Sequence, residues 1–289
     1  MRPAVRHAFA AVAFATAVTA AGLAWAAVDS DAAPVIAAER AFAARGSEVP
    51  VKQAFLDYAA PDGVLVDSEK GAENALANIA SWPDRANTGF IKWWPLYAGI
   101  SRDGTLGFTT GAASFGGNQR YSNYFTVWKK QADGSWKWLI DMGATAAAAS
   151  PYGTDTPVAV MPVSDGPRLS ADAARKKVCK DEAALVREAA TDLSNAYVRR
   201  LAPEARIMGL EPQPAVGRAA YIEALAQRPQ RVEMKTIGCD VAGSGDFAWS
   251  YGTAIWTSAD KPSQGTYLRV WQLRRSGWVI LVDNLTPDR

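Results

Sequence analysis

Histidine is almost missing from this chain: the 289 residues hold one, His7. It falls in the stretch MRPAVRHAFAAVAFATAVTAAGLAWA, which has a basic start, an Ala-rich apolar run without acidic residues, and a small-x-small ending at Ala24-Trp25-Ala26. That pattern is read as a secretory signal over residues 1–26, cut before Ala27. The competing reading is an N-terminal anchor, for which the run is Ala-heavy and barely long enough to span. If the signal is removed, the mature chain has no histidine. Ser-His, Cys-His and His-metal mechanisms are then excluded, and acid–base chemistry falls to Asp, Glu, Tyr or Lys.

Net charge is missing too. Of 31 basic residues, Arg2 and Arg6 leave with the signal, so 29 face 29 acidic ones. A neutral chain lacks the basic field for non-specific nucleic-acid binding, and no nucleic-acid partner is expected. No later run is apolar enough to cross a bilayer, so no membrane contact is expected after cleavage. The expected destination is the periplasm, given the Ala-rich, bacterial-looking leader. Phosphate loops and dinucleotide fingerprints are absent.

Cysteine is scarce. Cys179 and Cys239 can close a disulfide in an oxidising compartment, worth about 4 kcal/mol in the chain-entropy model, or remain two buried thiols. Two cysteines without histidine argue against a zinc site, and no metal is expected.

What the chain does contain, it contains twice. YFTVWKKQADGSWKWLID (124–141) is echoed by YLRVWQLRRSGWVILVD (267–283). Thr110-Gly111-Ala112 matches Tyr251-Gly252-Thr253, and Ala60-Pro61-Asp62 matches Ala202-Pro203-Glu204. Gly71, Ile79 and Pro83 match Gly217, Leu225 and Pro229 in the same order. Two long copies indicate a duplicated domain rather than a solenoid. The copies span 27–145 and 170–289. The proline-bearing stretch 146–169 reads as a semi-stiff linker.

Each copy opens with helical spacing, over 33–58 and 171–201, with Ser170 a candidate N-cap. Pro61 and Pro203 end these runs. Short strands (64–67, 206–208) and second helices (71–81, 216–227) follow, then four strands in each copy. The last two of these form hairpins turned at 132–135 and 275–277.

This order, ending in x-V-W-x…G-x-W-x-x-x-x-D, resembles the nuclear transport factor 2-like superfamily, in its ketosteroid-isomerase-like or polyketide-cyclase-like branch. The resemblance covers nearly all of both copies. It implies an α+β fold of two tandem cone-shaped domains, each a strongly curved antiparallel sheet wrapped around N-terminal helices. It implies an apolar pocket in each, no cofactor, and pairing through the outer face of the sheet. Two copies on one chain would then form an intramolecular pseudo-dimer. The superfamily includes isomerases, dehydratases, cyclases and pure binding modules, so fold does not settle activity. Its isomerase-type sites use a carboxylate base and an oxyanion hole of tyrosine with a protonated acid.

Carried onto this sequence, the catalytic candidates are Asp67 and Tyr58, with a strand-end turn as the plainer role for Asp67. Tyr124, Asp141, Tyr267 and Asp283 recur at matched positions and are candidates for the pocket. Period two puts Trp249, Tyr251 and Thr253 on one strand face, matched by Phe108 and Thr110. That face is expected to line the cone, with core packing as the alternative. The expected function is binding of a small apolar molecule or a partner. The alternative is a cofactor-free isomerase, dehydratase or cyclase using Asp and Tyr.

Overall fold

The computed structural model describes residues 31–116, 120–258 and 260–288. The signal reading and His7 lie outside them. Among the described residues, α1 (Ala33–Glu48) and α2 (Val51–Tyr58) precede β1 (Ala59–Asp67), β2 (Gly71–Asn74) and α3 (Ala75–Ala80). Strands β3 (Ile91–Ile100), β4 (Leu106–Phe115), β5 (Arg120–Lys130) and β6 (Trp136–Ala146) follow. After β7 (Ala159–Val160) come α4 (Ala171–Val198), β8 (Leu201–Met208), β9 (Ala215–Val216) and α5 (Arg218–Gln227). The chain ends in β10 (Val232–Val241), β11 (Phe247–Ser258), β12 (Lys261–Arg274) and β13 (Gly277–Pro287).

These strands form two mixed sheets, not the wholly antiparallel ones expected: β1 pairs parallel with β6, and β8 with β13, because a helical segment rather than a hairpin connects the first strand to the rest. The first runs β2-β1-β6-β5-β4-β3-β7, and the second β9-β8-β13-β12-β11-β10. Apart from β7 the order is the same. So are the irregularities. The pairing slips between Val127 and Trp128 on β5 and between Val270 and Trp271 on β12. It slips again between Pro95 and Tyr97 on β3 and between Thr236 and Gly238 on β10. At these second bulges the backbone crowds the facing strand. A Cβ on Gly111 would lie 2.0 Å from the Trp94 carbonyl, and one on Gly252 2.0 Å from the Lys235 carbonyl. The glycine repeated in the sequence is therefore a steric requirement.

The single first helix expected over 33–58 is two helices. Pro50 has no N–H to give and disfavours helix before it, so the chain breaks there. The second copy has no proline at this point, yet α4 departs from helical geometry at Asp192 (φ −153°, ψ 86°), whose carboxylate accepts from the Asn195 amide. Ser170 caps α4 by accepting from the Ala173 amide. A disulfide between Cys179 and Cys239 ties α4 to β10.

The inner face of each sheet packs on its helices. Val35, Ile36 and Phe42 of α1 meet Trp93, Trp128 and Trp138. In the second unit Val178, Leu185, Ala189, Leu193 and Tyr197 of α4 meet Tyr267, Trp271 and Ile280. The outer faces pack on each other. Phe108 stacks on Phe247 with ring centroids 5.9 Å apart, the Arg206 guanidinium lies 4.2 Å over Tyr97, and Thr110 meets Met208. The contacts are reciprocal at the turns: the Arg102 amide donates to Asp246 at 3.1 Å, and the Ser244 amide to Asp103 at 2.8 Å.

The stretch read as a linker is a strap. Its strand β7 pairs parallel with β3 at Tyr97 and Ala98, and Met161 is buried. The Arg102 guanidinium donates to the carbonyls of Ser164 and Gly166, and the Gln272 amide to that of Pro162. Its backbone groups are thus paired with both units, leaving residues 147–155 as the mainly exposed part.

Candidate functional site

Each first helix buries one acid in its apolar stripe. Helical spacing puts Val35, Glu39, Phe42 and Gly46 on one face of α1, and Val178, Glu182, Leu185 and Ala189 on one face of α4. Glu39 is 0 % exposed and Glu182 1 %. A carboxyl taken out of water needs donors, and the facing sheet supplies them. Glu39 accepts from the Thr109 hydroxyl, the Trp128 indole at 3.1 Å and the Trp93 indole at 2.6 Å. Glu182 accepts from Ser250 at 2.8 Å, Tyr267 at 3.0 Å and Thr236 at 3.3 Å. In both units the matched tryptophan also donates to the matched hydroxyl, Trp128 to Thr109 and Trp271 to Ser250, each at 3.0 Å.

The two centres differ in charge. In the second, Arg269 donates to Glu182 at 2.6 Å and to Asp283 at 2.7 Å. Arg228 donates to Asp283 at 2.8 Å and to Glu211 at 2.6 and 3.0 Å, and the Tyr197 hydroxyl to Asp283 at 3.0 Å. All of these groups are buried. It is a closed network with every carboxylate paired.

In the first centre Thr126 stands where Arg269 stands in the second. Asp141 accepts from the Thr126 hydroxyl at 2.6 Å, and among the described residues no cation pairs with Glu39 or Asp141. Burial pushes the Glu39 carboxyl up to about 7, with the charge of Asp141 adding to it and its hydrogen bonds opposing. Burial pushes Asp141 up to about 6. Tyr124 is raised by burial first and by Glu39 next, with the neighbouring Thr109 hydroxyl opposing; it donates to neither Glu39 nor Asp141. The arrangement offers two carboxyls able to hold or release a proton near neutral pH beside a buried phenol.

Access differs as well. On β6 the inner-face positions past the acid are open: Asp141 is half-buried, and Gly143 and Thr145 are exposed. A Cβ at Gly143 would meet nothing closer than Ser122 Oγ at 3.5 Å. On β13 the matched positions Asp283 and Leu285 are both buried. The 209–212 loop covers them: Gly209 lies against the Leu285 carbonyl, and Glu211 holds Arg228. The deeper floor of the first unit is filled by Phe42, Trp93, Trp128 and Trp138.

Of the residues singled out from the sequence, Tyr124 and Asp141 meet at the first centre, and Tyr267 and Asp283 at the second. Phe108, Thr110, Trp249, Tyr251 and Thr253 do not line a hollow; this face is corrected. Alternation of two tells which residues share a face, not which face turns inward. The inward face is Thr109 and Ser250, whose hydroxyls reach the buried acids. Phe108 and Thr110 pack against the second unit, and Trp249, Tyr251 and Thr253 share the outward face with Phe247.

Asp67 is also corrected. Its carboxylate accepts from the amides of Glu69 and Lys70, which hold it below its ordinary range. This is a turn cap, the opposite of a buried base. Tyr58 packs on Phe42 and lines a surface groove of about 570 Å³ with Pro34, Ala38, Arg45, Trp136 and Lys137, away from Glu39 and Asp141. Glu39, Glu182, Arg228 and Arg269 escaped the sequence reading. The available signal was an acid inside an apolar helical stripe at the same place in both copies.

No family model and no curated protein matches the chain. Solved structures match parts of it. An NTF2-like protein of unknown function from Pseudomonas putida KT2440 is 10 % identical, with TM-score 0.35 over 41 % of this chain and 89 % of that one. A putative aromatic ring hydroxylase from Novosphingobium aromaticivorans is 15 % identical, with TM-score 0.35 over 41 % and 91 %. A putative scytalone dehydratase from the same organism is 10 % identical, with TM-score 0.33 over 39 % and 83 %. At such identities and scores the likeness carries no argument about this chain.

Proposed function

We propose that the chain is an exported tandem of two nuclear transport factor 2-like domains, paired as an intramolecular pseudo-dimer, whose first domain binds a small molecule at the rim of its cone. The second domain is a sealed copy that serves as scaffold. One contrast carries this reading. The rim at Asp141, Gly143 and Thr145 is open and, among the described residues, no cation pairs with Asp141, whereas Asp283 and Leu285 are shut under Arg228 and the 209–212 loop. A ligand's polar end would meet Asp141 and Tyr124, and its apolar part the rim around Gly143.

A second reading has one observation in its favour. Glu39 sits near 7, where a carboxyl serves equally as acid and base. Dehydratase or isomerase chemistry without cofactor would use that property, with Asp141 at the rim meeting the substrate and Glu39 behind it.

Native mass spectrometry of protein purified from its own host tests the binding reading. A retained small molecule, lost when Gly143 is replaced by Leu, is the expected result. Retention unchanged by Gly143→Leu would move the site elsewhere, first to the groove beside Tyr58. A mature N-terminus at Ala27 tests export.

A further inference from the structure

The second domain holds a guanidinium where the first holds none, and the difference points to a ligand chemistry. Asp283 has three donors: Arg269 Nε, Arg228 Nη1 and the Tyr197 hydroxyl. The Arg269 guanidinium also lies 4.0 Å over the Tyr267 ring and 5.3 Å from that of Tyr197. The first domain lacks all three donors. Thr126 replaces Arg269. Trp82, which precedes the matched proline, replaces Arg228, and its indole is taken by Asn78 at 2.9 Å. Phe55, six residues before Pro61 as Tyr197 is before Pro203, has no hydroxyl.

The deeper acid of the first domain is not left wanting in the same way. Trp93 stands at the register of Met234, opposite Ala113 as Met234 is opposite Ala254. Its indole donates to Glu39 Oε1 at 2.6 Å, as Arg269 Nη1 does to Glu182 Oε1. Asp141 alone keeps a single donor, Thr126. Two further observations mark its surroundings. The Tyr124 hydroxyl is buried beside Thr109 and bonds neither Glu39 nor Asp141, whereas that of Tyr267 bonds Glu182 and Thr236. The strand beside Asp141 is open at Gly143 and Thr145. Arg40 on α1 acts electrostatically on Tyr124 but forms no ion pair with Asp141.

We propose that the rim of the first domain binds a small organic cation of guanidinium type, seated on Asp141 as Arg269 is seated on Asp283, with its body toward Gly143 and Thr145. The inference rests on reading the rim as a ligand site and names the chemistry of its occupant. The carboxylate gives charge and two acceptor oxygens, matched to the planar fork of a guanidinium.

The test is a titration of the mature chain with methylguanidinium chloride and, separately, with its neutral isostere methylurea. Ionic strength is held constant, at a pH above the range where Asp141 ionises. The readout is amide chemical shifts. Saturable shifts at Tyr124, Asp141 and Gly143 are expected with methylguanidinium and not with methylurea. Asp141→Asn should weaken binding by about tenfold or more, and Thr126→Arg should abolish it by supplying the guanidinium from the chain. Circular dichroism establishes that each variant is folded; if neither is, the comparison of the two probes on the wild-type chain decides alone. Equal shifts with methylurea, no saturation with methylguanidinium, or full binding in Asp141→Asn would overturn the proposal. A neutral molecule retained from the host and not displaced by methylguanidinium would refute the cation while leaving the rim as a binding site.

Discussion

At the residue scale the question is what a buried acid costs when its cation is missing. Glu39 and Glu182 sit at the same place in their helices, and each accepts from a hydroxyl that in turn accepts from the matched tryptophan. Only Glu182 has an arginine. The consequence is a pH dependence that belongs to the first domain. Unfolding returns Glu39 from about 7 toward its ordinary 4.5. Between those values the folded chain binds more protons than the unfolded one. Stability is therefore greatest at and below the unfolded value, declines as pH rises, and levels off above the folded value. The span corresponds to about 3 kcal/mol. Glu39→Gln keeps the shape and removes the titration. Asp141, raised to about 6, adds a fall of the same sign at lower pH. Urea midpoints measured from weakly acidic to weakly alkaline pH should fall for the wild-type chain and fall less steeply for Glu39→Gln, in which Asp141 still titrates. The same slope in both would mean that Glu39 does not carry its share of the dependence. This buried pair of acids was legible only as spacing. Glu39 and Glu182 stood in plain view in two apolar stripes, but a stripe does not say what faces it.

At the scale of elements, the repeated bulge and the glycine opposite it bind strand to strand. Gly252→Ala places a methyl against the Lys235 carbonyl, so β10 must shift or lose pairing. A loss of about 1–3 kcal/mol is expected, in the range of overpacked sites, read from the denaturant midpoint. An unchanged midpoint would show that β10 yields freely. The disulfide acts on the same strand. It closes 60 residues between α4 and β10, and its reduction should cost about 4 kcal/mol by loop entropy. The strands and hairpins were readable because alternation, paired tryptophans and turn glycines are local signals; of the second helices only Ala75–Ala80 and Arg218–Gln227 are helical, Gly71–Asn74 and Val216 being strand instead. The break at Pro50 was equally local. The kink at Asp192 was not, since no proline marks it.

At the scale of the molecule, the outer faces of the two sheets meet around Phe108 and Phe247, leaving Ile255 at the far end of β11 exposed, and the 146–169 strap runs along both. Two expectations follow from that packing. Sedimentation should give a monomer, because the outer faces of the two sheets meet within the chain; a stable dimer would require another surface. Limited proteolysis should cut first within 147–155, where the strap is mostly exposed. The two fragments should then co-migrate in native gels, held by the Phe108–Phe247 stack and the reciprocal turns at Asp103 and Asp246. Fragments that separate under native conditions would show that the sheets hold together only through the covalent strap.

The α+β character, the repeated order of elements and the matched acids at 141 and 283 were determined by the chain itself. They depend on period, turn chemistry and the positions of glycine, proline and tryptophan, which act within a few residues. Which sheet face turns inward, which acid finds an arginine, and which strand end stays open were decided only in three dimensions. Each depends on groups far apart in the chain: Arg269 between Glu182 and Asp283, Arg228 reaching from its loop, and one sheet lying on the other. No local pattern distinguishes Thr126 from Arg269 until the side chains that surround them are in place.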